Sequence, residues 1–90
     1  MTDDPLEPKV FTEDVAALLA PHLTEDEDKA RLADRVGVSK RTVWRVLSVA
    51  RPYTSLKRAD DMLTAVGETI NDCRLLMPDG TVEEPWDGTS

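Results

Sequence analysis

The chain has a single cysteine, Cys73, and a single histidine, His22. One thiol excludes an internal disulfide and a thiolate cluster for a metal. One imidazole with no second ligand or nucleophile supports neither a metal site nor catalysis. Cys73 therefore reads as a small core residue and His22 as a loop residue after Pro21. Aromatic residues make up 4% of the 90 residues against 40% for hydrophobic residues as a whole. A core of Leu, Val, Ala and Met carried on helices suits that composition better than a β-sandwich. No apolar run approaches the length of about eighteen residues that a membrane span needs. The acidic start "MTDDPLEPKV" lacks the apolar segment of a signal peptide, so a cytoplasmic location is expected. There is no glycine-rich phosphate loop, and the carboxylates lie in solvated runs. No enzyme, cofactor or metal is expected.

Positive charge is scarce as well, until its distribution is considered. The formal net charge is −7. Residues 1–28 hold nine acids and one base, for −8, and residues 59–90 hold eight acids and one base, for −7. Residues 29–58 hold nine bases and one acid, Asp34, for +8. Exposed charges are screened beyond about 8–10 Å at ordinary salt, so local potential decides whether a polyanion is attracted. A basic face is compatible with the acidic total.

Residues 1–11, rich in acids and proline, read as a flexible acidic arm. Thr12 is expected to cap a first helix, "EDVAALLA", with Glu13 and Asp14 at its positive end and Pro21 as its stop. A second helix lies within "TEDEDKARLADRVG". Thr24 with Glu27 is a capping-box pattern, although Asp26 or Asp28 can serve as the cap one turn later, and Gly37 suits the C-terminus. Ser39 opens a third helix that runs to Ala50, before Arg51-Pro52. Its Val43, Val46, Leu47 and Ala50 form the apolar stripe, opposite Arg41, Arg45 and Ser48. A fourth helix spans about Ser55 to Val66, burying Leu56, Ala59, Leu63 and Val66, with Gly67 as its stop. In the tail, Pro78-Asp79-Gly80 between short apolar stretches suggests a turn joining two extended segments. A lone hairpin is marginal, so it must pack on the helices or pair with a second subunit. The expected fold is all-α: a small four-helix domain over 12–67, with a C-terminal extension over 68–90 that can close into a β-hairpin or serve dimerisation.

Within "KARLADRVGVSKRTVWRVL" the small Ala33 stands four residues before Gly37, and Val43 stands six after it. Alanine lets two helices cross closely, glycine makes the tight turn, and Val36, Val38, Val43 and Val46 lock the second helix over the first. The stretch resembles the helix-turn-helix DNA-binding regulators, closest in pattern to the lambda-repressor/Cro-like (Xre) class. "GVSKRTVWRVL" is also similar to the LacI-type recognition-helix motif, and "SLKRADDMLTAVG" looks like the closing helix of Xre-type domains. The resemblance is tight over 29–48 and looser over 12–67. It implies that the helix from Ser39 lies in the major groove of double-stranded DNA. Ser39, Lys40, Arg41, Thr42, Trp44, Arg45 and Ser48 are then the candidate DNA-binding residues. Arg or Lys can bond guanine O6 and N7, and Ser39 at the helix start suits a phosphate. Arg51, Lys29 and Arg31, with Lys57 and Arg58, are further candidates for backbone contact. Trp44 has two readings, a thymine-methyl contact or a cover for the first helix or a partner subunit. The "EDED" run at 25–28 reads as helix capping and solvation, with shielding of the basic face by the acidic arm as the sharper alternative.

The function expected on this reading is a sequence-specific, repressor-like regulator of prokaryotic or phage type, acting as a homodimer on a palindromic site. Two alternatives stand beside it. One is a protein-interaction module, such as an antitoxin or a modulator of host proteins, whose acidic termini engage a basic partner. The other is an excisionase-like architectural DNA binder.

Overall fold

Val10 is fully buried, although it lies in the segment read as an arm. In the computed structural model, which describes residues 7–85, it sits at the centre of β1 (Lys9–Phe11). Four helices follow in chain order: α1 (Thr12–Leu19), α2 (Asp26–Val36), α3 (Lys40–Leu47) and α4 (Leu56–Ala65). Three more strands complete the chain: β2 (Tyr53–Ser55) between α3 and α4, then β3 (Leu75–Leu76) and β4 (Val82–Glu83). The strands form one antiparallel sheet in the order β2-β1-β3-β4. The all-α fold expected from the composition is therefore corrected by this sheet. It is a four-helix domain with a small sheet laid against it. The tail does close into a hairpin, through the Met77–Thr81 turn in which Gly80 takes φ 92°. That hairpin spends its β3 edge on β1 of the same chain. Residues 9–11 of the expected arm are thus a central strand. Residues 1–6, and 86–90 of the extension, lie outside the described residues.

An isolated helix of eight residues is unstable in water, so α1 and α3 exist through packing. Val15 and Leu19 of α1, Leu32 and Ala33 of α2, Val43 and Val46 of α3, and Ala59, Met62 and Leu63 of α4 share one core with Val10 and Cys73. Thr12 is the first residue of α1 and not its cap; Phe11 holds the cap position without a side-chain bond. The Thr12 hydroxyl is buried instead against that of Thr54, 2.7 Å away. Tertiary demand has taken the side chain that the local pattern assigns to capping. Arg74, immediately before β3, locks the hairpin to α1. Its backbone N–H and Nε both donate to Asp14 Oδ2, at 2.8 and 2.9 Å, and its Nη2 donates to Oδ1 at 3.0 Å. The same guanidinium lies 4.5 Å from the centre of the Phe11 ring. The donated bonds hold the Asp14 carboxyl below the usual carboxylate range.

The helix ends differ in instructive ways. Glu25 occupies the cap position of α2, and Asp28 accepts the Glu25 N–H at 3.2 Å, so none of the expected caps Thr24, Asp26 or Asp28 holds that place. Gly37 ends α2 with φ 83°, as its position in the sequence suggests. Ser55 caps α4 and Gly67 follows it at φ 85°. The third helix is shorter than expected: it stops at Leu47, three residues before Ala50. Val49 turns into the left-handed region at φ 53°, with the Ala50 N–H donating to the Arg45 carbonyl at 3.0 Å and the Val49 N–H to Val46 at 3.1 Å. That is the bonding of a Schellman close, built on a β-branched residue where glycine is usual.

Candidate nucleic-acid interface

The unit that presents the candidate side chains is α2, the three-residue turn Gly37-Val38-Ser39, and α3. Ala33 receives the N–H groups of both Gly37 and Val38 at 2.9 Å, which folds the chain back sharply. Ser39 Oγ accepts the Thr42 N–H at 3.2 Å, fixing the start of α3. With Val43 and Val46 buried, Lys40, Arg41, Trp44, Arg45 and Ser48 are all exposed on the outer side of α3. With its side chains an α-helix is about 10–12 Å across, a diameter that a major groove about 12 Å wide admits.

The structure separates the candidate residues by what already occupies them. Ser39 is engaged as the cap, and its hydroxyl lies 3.0 Å from that of half-buried Thr42. The Ser48 hydroxyl donates to the Arg45 carbonyl at 3.2 Å. Lys40 Nζ is 3.4 Å from Asp26, and Lys29 Nζ is 3.8 Å from the same carboxylate. Arg31 lies 2.9 Å from Glu27 and 3.8 Å from Asp28. Lys57 pairs with Asp61 at 3.4 Å. Arg35, which the charge pattern does not single out, donates to the Ala65 carbonyl at 3.1 Å and ties α2 to the end of α4. Arg41, Arg45, Arg51 and Arg58 make no ion pair among the described residues. Exposed pairs are worth only about 0–1 kcal/mol, so pairing biases the lysines without disabling them. The bias still follows a line: the α2 side is paired with its own acids, and Arg41, Arg45, Arg51 and Arg58 beyond it have no such partner among the described residues.

Trp44 is 58% exposed, which removes the reading that it covers the first helix. Val49, also exposed, lies just past the end of α3. Beside α3, a groove of about 420 Å³ runs between that helix, β2 and the start of α4, and brings Lys9 together with Arg45, Arg51 and Arg58. Lys9 carried no signal in the sequence, being one base in an acidic stretch. Its place comes from strand pairing, which sets it opposite Ser55. Among the described residues no group of His, Cys, Asp and Glu is arranged to hold a metal. Burial pushes the Cys73 thiol up to about 11, with Asp14 and Asp72 adding to the effect, so it stays protonated. No described helix is long and apolar enough to cross a membrane. No protein-family model matches the chain, and no curated protein or solved structure does either.

Proposed function

We propose that this protein binds double-stranded DNA in a sequence-specific way, with α3 in the major groove, and acts as a repressor-like transcriptional regulator of prokaryotic or phage type. The observation that carries the reading is the distribution of cations: Arg41 and Arg45, on the exposed side of a capped two-turn helix, make no ion pair among the described residues. Each can meet guanine O6 and N7 in bidentate fashion, a contact worth about 1–3 kcal/mol of discrimination. Trp44 offers an apolar face to a thymine methyl group. A unit this small reads few base pairs, so a two-fold homodimer on a palindromic site is the working assembly.

The test is retention of the intact chain on duplex DNA across a salt series, beside the double variant Arg41→Ala/Arg45→Ala. Affinity should fall steeply with salt and drop at least tenfold in the variant. Binding indifferent to both would remove the proposal. Selection from a random DNA pool then yields the site, and a palindrome would support the dimer.

The exposure of Trp44 on α3 and of Val49 just past its end favours a second reading, a protein-interaction module with the helix-turn-helix as scaffold. In that case Trp44→Ala abolishes partner binding while the arginine pair is dispensable.

A further inference from the structure

Helix N-termini attract anions, because their free N–H groups and the helix dipole present positive charge. In α2 that end is filled by the chain itself, with Asp26, Glu27 and Asp28 in the first turn after Glu25. The first turns of α3 and α4 contain no acid. They carry Lys40 and Arg41, and Lys57 and Arg58, at the end of each helix where cations are disfavoured. An anion bound nearby would offset that repulsion.

The groove between α3, β2 and α4 has the composition to hold one. Arg45 reaches it from α3, Arg51 from the loop after α3, Arg58 from the first turn of α4 and Lys9 from β1, with Glu7 the one acid on its lining among the described residues. The register Lys9↔Ser55 sets Lys9 beside the cap of α4. On the floor, Thr12 and Thr54 hydrogen-bond each other, so no carboxylate there opposes an anion. None of the four bases makes an ion pair among the described residues. Arg45 lies on both the outer face of α3 and the groove, so the two surfaces are continuous.

We infer that this groove grips the sugar–phosphate backbone of DNA on one flank of the helix that α3 reads, and that the α2 flank makes no phosphate contact. The inference rests on the proposed DNA-binding reading and adds to it a one-sided footprint, anchored through the sheet and α4. Lys9, Arg51 and Arg58 are the anchors. Lys29 and Arg31, held by the acids of α2, are not.

The test uses the full chain and a duplex of mixed sequence, with binding measured by anisotropy over a potassium chloride series. Each phosphate contact contributes about 0.9 to the slope of log K against log salt. Lys9→Gln, Arg51→Gln and Arg58→Gln should each lower that slope by about 1, while Lys29→Gln and Arg31→Gln leave it unchanged. Lys9, Arg31, Arg51 and Arg58 are exposed and Lys29 is half-buried, and Arg58→Lys, which keeps the charge, should restore the slope. If the groove variants leave the slope intact while Arg41→Ala/Arg45→Ala still weakens binding, the groove inference fails and the DNA reading survives. If no variant in either set alters binding, both fall. Titration with inorganic phosphate alone separates the remaining possibility. Saturable binding lost in Arg58→Gln, with an unchanged DNA slope, would make the groove a small-anion site and overturn the inference.

Discussion

Lys40 Nζ stands 3.4 Å from the Asp26 carboxylate, which joins the first residue of α3 to the first residue of α2 across the turn. The acidic run and the basic helix are therefore in contact, and the same carboxylate also faces Lys29 at 3.8 Å. On the proposed reading Asp26 competes with DNA for Lys40. Asp26→Asn should raise affinity for duplex DNA by about 2- to 5-fold at low salt, the range that an exposed pair of up to about 1 kcal/mol allows. It should also lower stability by about 0.3–1 kcal/mol, because an acid is lost from the helix start. Anisotropy and urea melts measure the two effects. A loss of affinity would show that Asp26 positions Lys40 and does not compete for it.

Asp14 gives the molecule an acid-sensitive joint. Its carboxyl is held below the usual range by the hydrogen bonds from the Arg74 side chain, aided by the Arg74 backbone N–H. A depressed carboxyl contributes stability that is present above its unfolded value, about 3.9, and is lost as pH falls through the folded value. Thermal melts of the native chain should therefore fall off below about pH 4. Asp14→Asn should be less stable at neutral pH and should flatten that acid limb. An unchanged limb in the variant would assign the acid sensitivity to other carboxylates.

Val49 carries strain at the end of α3. Its φ of 53° places a β-branched side chain in the left-handed region, which costs an L-residue roughly 1–2 kcal/mol. The side chain is exposed, so little packing is lost by removing it. Val49→Gly should stabilise the protein by about 1 kcal/mol in urea denaturation, after the larger backbone entropy of glycine is set against the relieved strain. Destabilisation would mean that the Val49 side chain has a contact worth more than the strain.

Cys73 should be inert while the protein is folded. It is 2% exposed, and burial lifts its thiol to about 11. The thiolate is the reactive form, so alkylation near pH 8 should proceed only as fast as the chain opens. The rate should rise in step with the unfolded fraction as urea is added. Fast labelling in native buffer would place Cys73 outside the core.

Features set within a few residues were legible in the sequence. Gly37 at the end of α2, Ser39 at the opening of α3, and the hairpin at Pro78-Asp79-Gly80 all follow from φ preferences and short hydrogen bonds that the local residues carry. So did the concentration of bases in residues 29–58, which is a property of composition. The sheet was not legible. Strands of two or three residues are too short for a period-two pattern to register, and β1 was masked by the acids and prolines around it. The stop of α3 at Leu47 was missed for a related reason: valine carries no turn signal, so nothing at Val49 announces a left-handed residue.

The sequence by itself determined two helices joined by a tight turn at Gly37 and the sign of the charge on the outer face of α3, because the turn and the two amphipathic stripes are local patterns. Tertiary structure decided which of those charges are free. Asp26, Glu27 and Asp28 reach Lys29, Arg31 and Lys40 across a helix turn or a chain reversal, whereas Arg41, Arg45, Arg51 and Arg58 are left without such a partner among the described residues. Tertiary structure also carried Lys9 from an acidic segment to the side of Ser55, through strand pairing between residues 46 positions apart. Charge can be counted along a chain, but its availability depends on distances that only folding sets.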